Sequence, residues 1–153
     1  MTRRAALLAA AAAPLGACSL GATGNGTPAR QADPDLTLRA RAAQAERALI
    51  ARYQATADVH PDLQEPLGTF IARHQRHLEE LLATGGASDL ADVAADVPTA
   101  RAEAITALRE AETNHATERI EDSIASIDYE LARVLASVAA CETAHDYLLG
   151  ELA

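Results

Sequence analysis

From Asp33 onward, apolar residues recur at steps of three and four, the spacing that lines one face of an α-helix. Asp33-Pro34 reads as an N-cap followed by proline at the first helical position. A first helix is predicted from there to about Asp58, with Ala43, Glu46, Ile50, Tyr53 and Ala57 in one row. His60-Pro61 ends it, because the residue before a proline is pushed out of the helical region. A second helix starts with Asp62 as cap and Glu65 three residues later. Its stripe runs through Leu63, Leu67, Phe70, His74, His77 or Leu78, and Leu81. Thr84 to Val97, with Gly85-Gly86 and many small or acidic residues, reads as a long connection. Pro98 opens a third helix with Ile105, Leu108, Glu112, His115 and Arg119 in register, yielding near Asp122 to Asp128. A fourth carries Leu131, Val134 or Leu135, Val138, Glu142, His145 and Leu149. No run of β-branched residues alternates, so strands are not expected. Four amphipathic helices of about twenty residues make an all-α four-helix bundle.

Polar residues interrupt these stripes at matching heights. Glu46 lies 14 residues before His60 and His74 lies 14 after it. With the second turn placed at residue 127, Glu112 lies 15 before and Glu142 15 after. Equal sequence distance in an antiparallel hairpin means equal height, so both hairpins place their polar groups near mid-bundle. Glu112 and His115, like Glu142 and His145, are three apart and point the same way; His74 and His77 have that spacing with histidine first. Burying such groups without partners costs several kcal/mol per charge. Either a metal satisfies them, or they satisfy one another through Glu–His hydrogen bonds.

A glutamate on the first helix, paired ligands on the second, a glutamate on the third and Glu-x-x-His on the fourth resemble the ferritin-like superfamily. The stretches Glu46 to Tyr53, His74 to Leu82 and Leu135 to Leu149 resemble more narrowly the ferritin-like domains of actinobacterial lipoproteins. The resemblance implies Glu46, His77, Glu112, Glu142 and His145 as metal ligands, and a long crossover between the second and third helices. Two departures enlarge the candidate set. His74 stands where a bridging glutamate is expected, and His115 is an added imidazole. Three carboxylates with four imidazoles suit zinc, copper or a single iron at least as well as a bridged iron pair.

Ahead of the bundle stand Arg3 and Arg4, nine apolar residues from Ala5 to Ala13, Pro14, and then Leu15-Gly16-Ala17-Cys18. Nine helical residues rise only about 14 Å against a hydrocarbon core of about 30 Å, so the segment is too short to span. The last four residues resemble the lipobox of bacterial lipoproteins, whose cysteine is diacylated once the preceding residues are removed. That implies a signal peptide at 1–17, diacylglycerol on Cys18, a lipidated flexible tether at 18–33, and a bundle at 34–153. Thr2-Arg3-Arg4-Ala5-Ala6-Leu7 also resembles the signal for twin-arginine export. The location implied is the extracytoplasmic face of a bacterial envelope membrane, with the lipid as the membrane contact.

Composition narrows the function classes. Loss of Arg3 and Arg4 takes the formal charge from −9 to −11, which excludes nucleic acid as a partner surface. Trp is absent and Phe70 is the sole Phe, too few rings for base stacking or a sugar cleft. With Cys18 acylated, Cys141 has no disulfide partner and reads as a buried inert thiol on a stripe edge. Tyr53 and Tyr147 read as packing residues with wet hydroxyls, and Asp89, Asp92 and Asp96 as a solvated loop. The function expected is a lipid-anchored, non-catalytic envelope or interaction module. The alternative is a protein that binds iron, zinc or copper, with oxidase or peroxide-consuming activity.

Overall fold

The computed structural model describes residues 33–83, 90–91 and 94–153. The signal segment, Cys18, the tether as far as Ala32, and Asp89 and Asp92 of the acidic run lie outside the described residues. Among the described residues there are four helices and no strand: α1 (Pro34–Val59), α2 (Gln64–Ala83), α3 (Arg101–Ala125) and α4 (Tyr129–Gly150). None of them is long and apolar enough to cross a membrane.

The boundaries follow from local chemistry. Asp33 caps α1 by accepting from the Asp35 backbone N–H at 3.0 Å, with Pro34 at the first helical position. His60 closes α1, and a 3-10 turn at Pro61–Leu63 leads into α2. Asp62 lies inside that turn rather than at a helix cap, and its carboxylate accepts from Arg101 Nε at 2.8 Å. Pro98 does not open α3. The helix starts at Arg101 after an extended Ala100, and the Pro98 carbonyl lies 2.9 Å from His60 Nε2. The α3–α4 turn falls at Ser126, Ile127 and Asp128, with Asp128 capping α4 through Glu130 and Leu131.

The helices form two antiparallel hairpins, α1 with α2 and α3 with α4. Asp35, at the start of α1, reaches the turn between α3 and α4. Its Oδ1 accepts from Ser126 Oγ (2.9 Å) and the Ile127 N–H (3.1 Å), and its Oδ2 from the Asp128 N–H (2.9 Å). At the opposite end, the α1–α2 turn meets the start of α3 through His60 with Pro98 and Asp62 with Arg101. The α2–α3 connection therefore runs the length of the bundle. It passes α1 at Gln44, whose side-chain amide pairs with the Ala91 backbone at 2.9 and 3.1 Å. A connection of seventeen residues, 84–100, has a maximum reach of about 56 Å, ample against roughly 30 Å for a twenty-residue helix.

Apolar side chains fill the two ends of the interior. Leu49, Tyr53, Leu63, Leu67, Phe70, Ile105, Leu108 and Leu149 cluster toward the α1–α2 turn; Ala42, Ala43, Leu81, Leu131, Leu135 and Val138 cluster toward the other end. Leu49, not Ile50, is the buried member of the α1 row. Between the two clusters lies a layer of buried charge.

Asp35 clamps the second hairpin to the first. Asp35→Ala strips two turn N–H groups and the Ser126 hydroxyl of their acceptor, and is expected to lower stability by about 2 to 3 kcal/mol. The urea midpoint should fall with the slope unchanged; a loss below about 0.5 kcal/mol would show that the turn holds itself.

Candidate metal centre

Four helices deliver the buried polar layer, one turn each. Glu46 (α1), His74 (α2), Glu112 (α3), and Glu142 and His145 (α4) are fully buried, and His77 (α2) is partly buried. His74 sits at the centre. Its Nδ1 lies 2.8 Å from Glu46 Oε2 and its Nε2 2.9 Å from Glu112 Oε1. Carboxylate oxygens only accept, so without metal both ring nitrogens of His74 donate and the ring is an imidazolium. His77 Nδ1 stands 3.4 Å from the other oxygen of Glu46, and His145 Nδ1 lies 3.2 Å from Glu112 Oε1. The Tyr53 hydroxyl, fully buried, also donates to Glu112 Oε1, so it is a structural donor and not a wet hydroxyl. Tyr147, by contrast, is exposed.

Two groupings bring three ligand atoms within 4.8 Å of one another: Glu46 with His74 and His77, and His74 with Glu112 and His145. Each is two imidazoles and one carboxylate, and His74 belongs to both. His115 and Glu142 fall outside these groupings. His115 lies at the edge of the layer, with Nδ1 3.6 Å from Glu118. Glu142 stays in the interior, but His145, one turn further along α4, is the residue that meets Glu112.

The layer is incompletely satisfied. Glu46 Oε1, His77 Nδ1, Glu112 Oε2, His115 Nδ1 and both oxygens of Glu142 are buried without a hydrogen-bond partner. Native interiors leave few such atoms, and a concentration of them on carboxylates and imidazoles is what a bound cation would resolve. The donors present, two imidazole nitrogens to each carboxylate, fit a first-row divalent ion.

Electrostatics separate the carboxylates into two kinds. Burial opposes ionisation of Glu46, but the His74 hydrogen bond and the adjacent His77 ring outweigh it and hold its pKa below the usual range. Glu112 is likewise penalised by burial, yet His145, His74 and Tyr53 bring it down to about 2. Glu142 has no such donors; burial, then the charges of Glu46 and Glu112, push it up to about 9. His74 is raised to about 10 because its two glutamates overcome the burial that would lower it. Burial lowers His115.

Three neighbours depart from what the stripes suggest. Cys141 is half-buried rather than inert in the core. Its Sγ lies 3.4 Å from His145 Nε2 and 4.0 Å from Arg73, and hydrogen bonds from His145 and His77 bring its pKa to about 5. Arg119 and Asp122 form a fully buried ion pair at 2.7 Å, with Arg41 on the other Asp122 oxygen. Asp122 is thus an interior anchor within α3 and not part of its unwinding end. The visible signal was Arg119 keeping stripe register with an acid three residues on. His145 also walls a pocket of about 320 Å³ between α2 and α4, bordered by Thr69, Phe70, Arg73 and Leu148.

Comparison with protein-family models, curated proteins and solved structures yields no match to this chain.

Glu142 sets a pH dependence. A carboxyl whose folded pKa, about 9, stands above its ordinary value of 4.5 lends stability that is present below pH 4.5 and lost as pH rises toward 9. His74 acts in the same direction between 6.5 and about 10. In chelator-treated protein, Glu142→Gln removes the Glu142 component and is expected to stabilise by about 1 to 3 kcal/mol at pH 8. Thermal melts from pH 5 to 9 check this; destabilisation at pH 8 would mean that the carboxylate is ionised and bonded.

Proposed function

We propose that the protein is a metal-binding four-helix bundle of ferritin-like type, holding divalent transition metal at mid-bundle and fixed to a bacterial envelope membrane by lipid on Cys18. The observation that carries the metal reading is the pair of buried two-histidine, one-carboxylate groupings on His74. The unpartnered oxygens of Glu46, Glu112 and Glu142 support it. So does the topology, in which the α2–α3 connection returns along α1. The lipid anchor rests on the Arg3-Arg4 head, the short apolar stretch and Leu15-Gly16-Ala17-Cys18.

In this reading Glu46 and His77 hold metal from the first hairpin, Glu112 and His145 from the second, and His74 from between them. Tyr53 fixes the Glu112 carboxylate, and Phe70 packs edge-on against the His145 ring at 4.9 Å, which limits its rotation. The apolar pocket beside His145 offers a small molecule a route to the centre. Iron or copper there supplies redox chemistry toward oxygen or peroxide, whereas zinc supplies structure or Lewis acidity.

One observation favours a second reading, a non-catalytic envelope module with a metal-free core. Both nitrogens of His74 already have carboxylate partners, so the central bonds close on themselves.

Metal analysis separates the two. Full-length protein purified without chelator is expected to contain near-stoichiometric iron, zinc or copper. His77→Ala/His145→Ala should lose it and His115→Ala should retain it. Equal metal in wild type and the double variant would remove these residues as ligands. No metal in either, even after anaerobic reconstitution, would leave the non-catalytic module.

A further inference from the structure

We infer that the centre takes two metal ions, with the ring of His74 as the ligand between them. This deepens the metal-binding reading and rests on it. The two groupings share His74 but use different atoms of it: Nδ1 faces Glu46, and Nε2 faces Glu112. Once both ring protons have passed to water, the two in-plane lone pairs of the imidazolate diverge, so a single ion cannot accept both. Each nitrogen must serve its own ion.

The surroundings divide the same way. On the Nδ1 side stand Glu46 and His77, both from the first hairpin, with His77 Nδ1 3.4 Å from Glu46 Oε1. On the Nε2 side stand Glu112 and His145, both from the second hairpin, 3.2 Å apart. Metal–ligand bonds of about 2.0 to 2.1 Å at tetrahedral or right angles put neighbouring ligand atoms about 2.9 to 3.4 Å apart. About Glu112 Oε1 the separations, 2.9 Å to His74 and 3.2 Å to His145, fall in that range; on the other side His74 lies 2.8 Å from Glu46 Oε2 and His77 3.4 Å from Oε1, so Glu46 presents one oxygen to each ring. In the metal-free protein each His74 N–H points at a carboxylate, and an ion binding on that side would displace its proton.

A bridging ring also sets the spacing. Bonds of about 2 Å on either side of an imidazole place the ions about 6 Å apart. That exceeds the roughly 3.5 to 4 Å of oxygen-bridged pairs, so the two ions would not share one oxygen atom. Communication between them would run through the ring. Glu142, buried nearby with both oxygens unpartnered, is available to complete a coordination sphere.

The test loads chelator-stripped, full-length protein with copper(II) alone and follows metal content and electron paramagnetic resonance. Two coppers per chain are expected. The signal should grow to the first equivalent and then fall at least twofold below that of two isolated ions, because spins on opposite sides of a deprotonated imidazole couple. His77→Ala and His145→Ala should each keep one copper with an uncoupled signal. His74→Ala should weaken both sites by at least about 10- to 100-fold. One copper per chain at saturation would overturn the bridge while leaving the metal-binding reading intact, as would two coppers with a full, uncoupled signal. No copper bound at all would overturn both. The wild-type measurement decides the matter even if His74→Ala does not fold.

Discussion

The imidazole of His74, bonded on one face to Glu46 and on the other to Glu112, joins the two helical hairpins through a charged contact shut away from water. Taking ions out of water costs several kcal/mol each, and only close opposite charge recovers it. The arrangement answers that constraint by alternation: carboxylate, imidazolium, carboxylate. Glu46 meets His74 within the first hairpin, whereas Glu112 gains the His74 charge only when the hairpins meet. Truncating any one member would strand a buried charge, a loss of about 3 to 5 kcal/mol. The apolar clusters on both sides supply the bulk of the burial, while this layer fixes which heights face each other.

The same constraint explains why the layer is poorly placed for stability alone. Glu142 is carried into the interior with neither oxygen bonded, and its neutral form is retained only because ionisation is worse. Arg119 also leaves one nitrogen without a partner while its others hold Asp122. Interiors that serve only as scaffolding tolerate few such groups. Perturbed carboxylates and histidines gathered at one depth, beside an apolar pocket that reaches His145, have the character of a site rather than a core.

Much of this architecture was legible in the pattern of residues. The stripes of α2 and α4 coincide with the buried faces, and the α3–α4 turn falls inside the Asp122 to Asp128 window although no glycine or proline marks it. Equal heights about His60 place Glu46 against His74, as found. What periodicity could not supply was the choice between residues a turn or a step apart. Stepping three or four residues on from Glu46 reaches Leu49 or Ile50, and a stripe likewise admits Glu142 or His145, and only the opposing helix selects. Pro98 misled because a proline suits a helix start, yet here its carbonyl is needed by His60. The Tyr53 bond to Glu112 and the reach of Arg41 to Asp122 depend on interhelical distances that spacing does not encode, whereas Arg119 with Asp122 and Cys141 with His145 stand three and four apart on one helix.

The Asp35 clamp has a consequence for how the chain assembles. It links the first turn of α1 to residues more than ninety positions later, whereas each hairpin is closed by neighbours. Local hairpin closure is entropically cheap, and long-range closure is the slower step. Synthesis proceeds from the N-terminus, so the first hairpin emerges with Glu46 already beside His74 and must wait for α3 and α4. During that interval the polar layer is open to solvent on one side, and docking of the second hairpin is the event that seals it. Whatever the layer is to enclose has its easiest entry then, before the door of the bundle has shut.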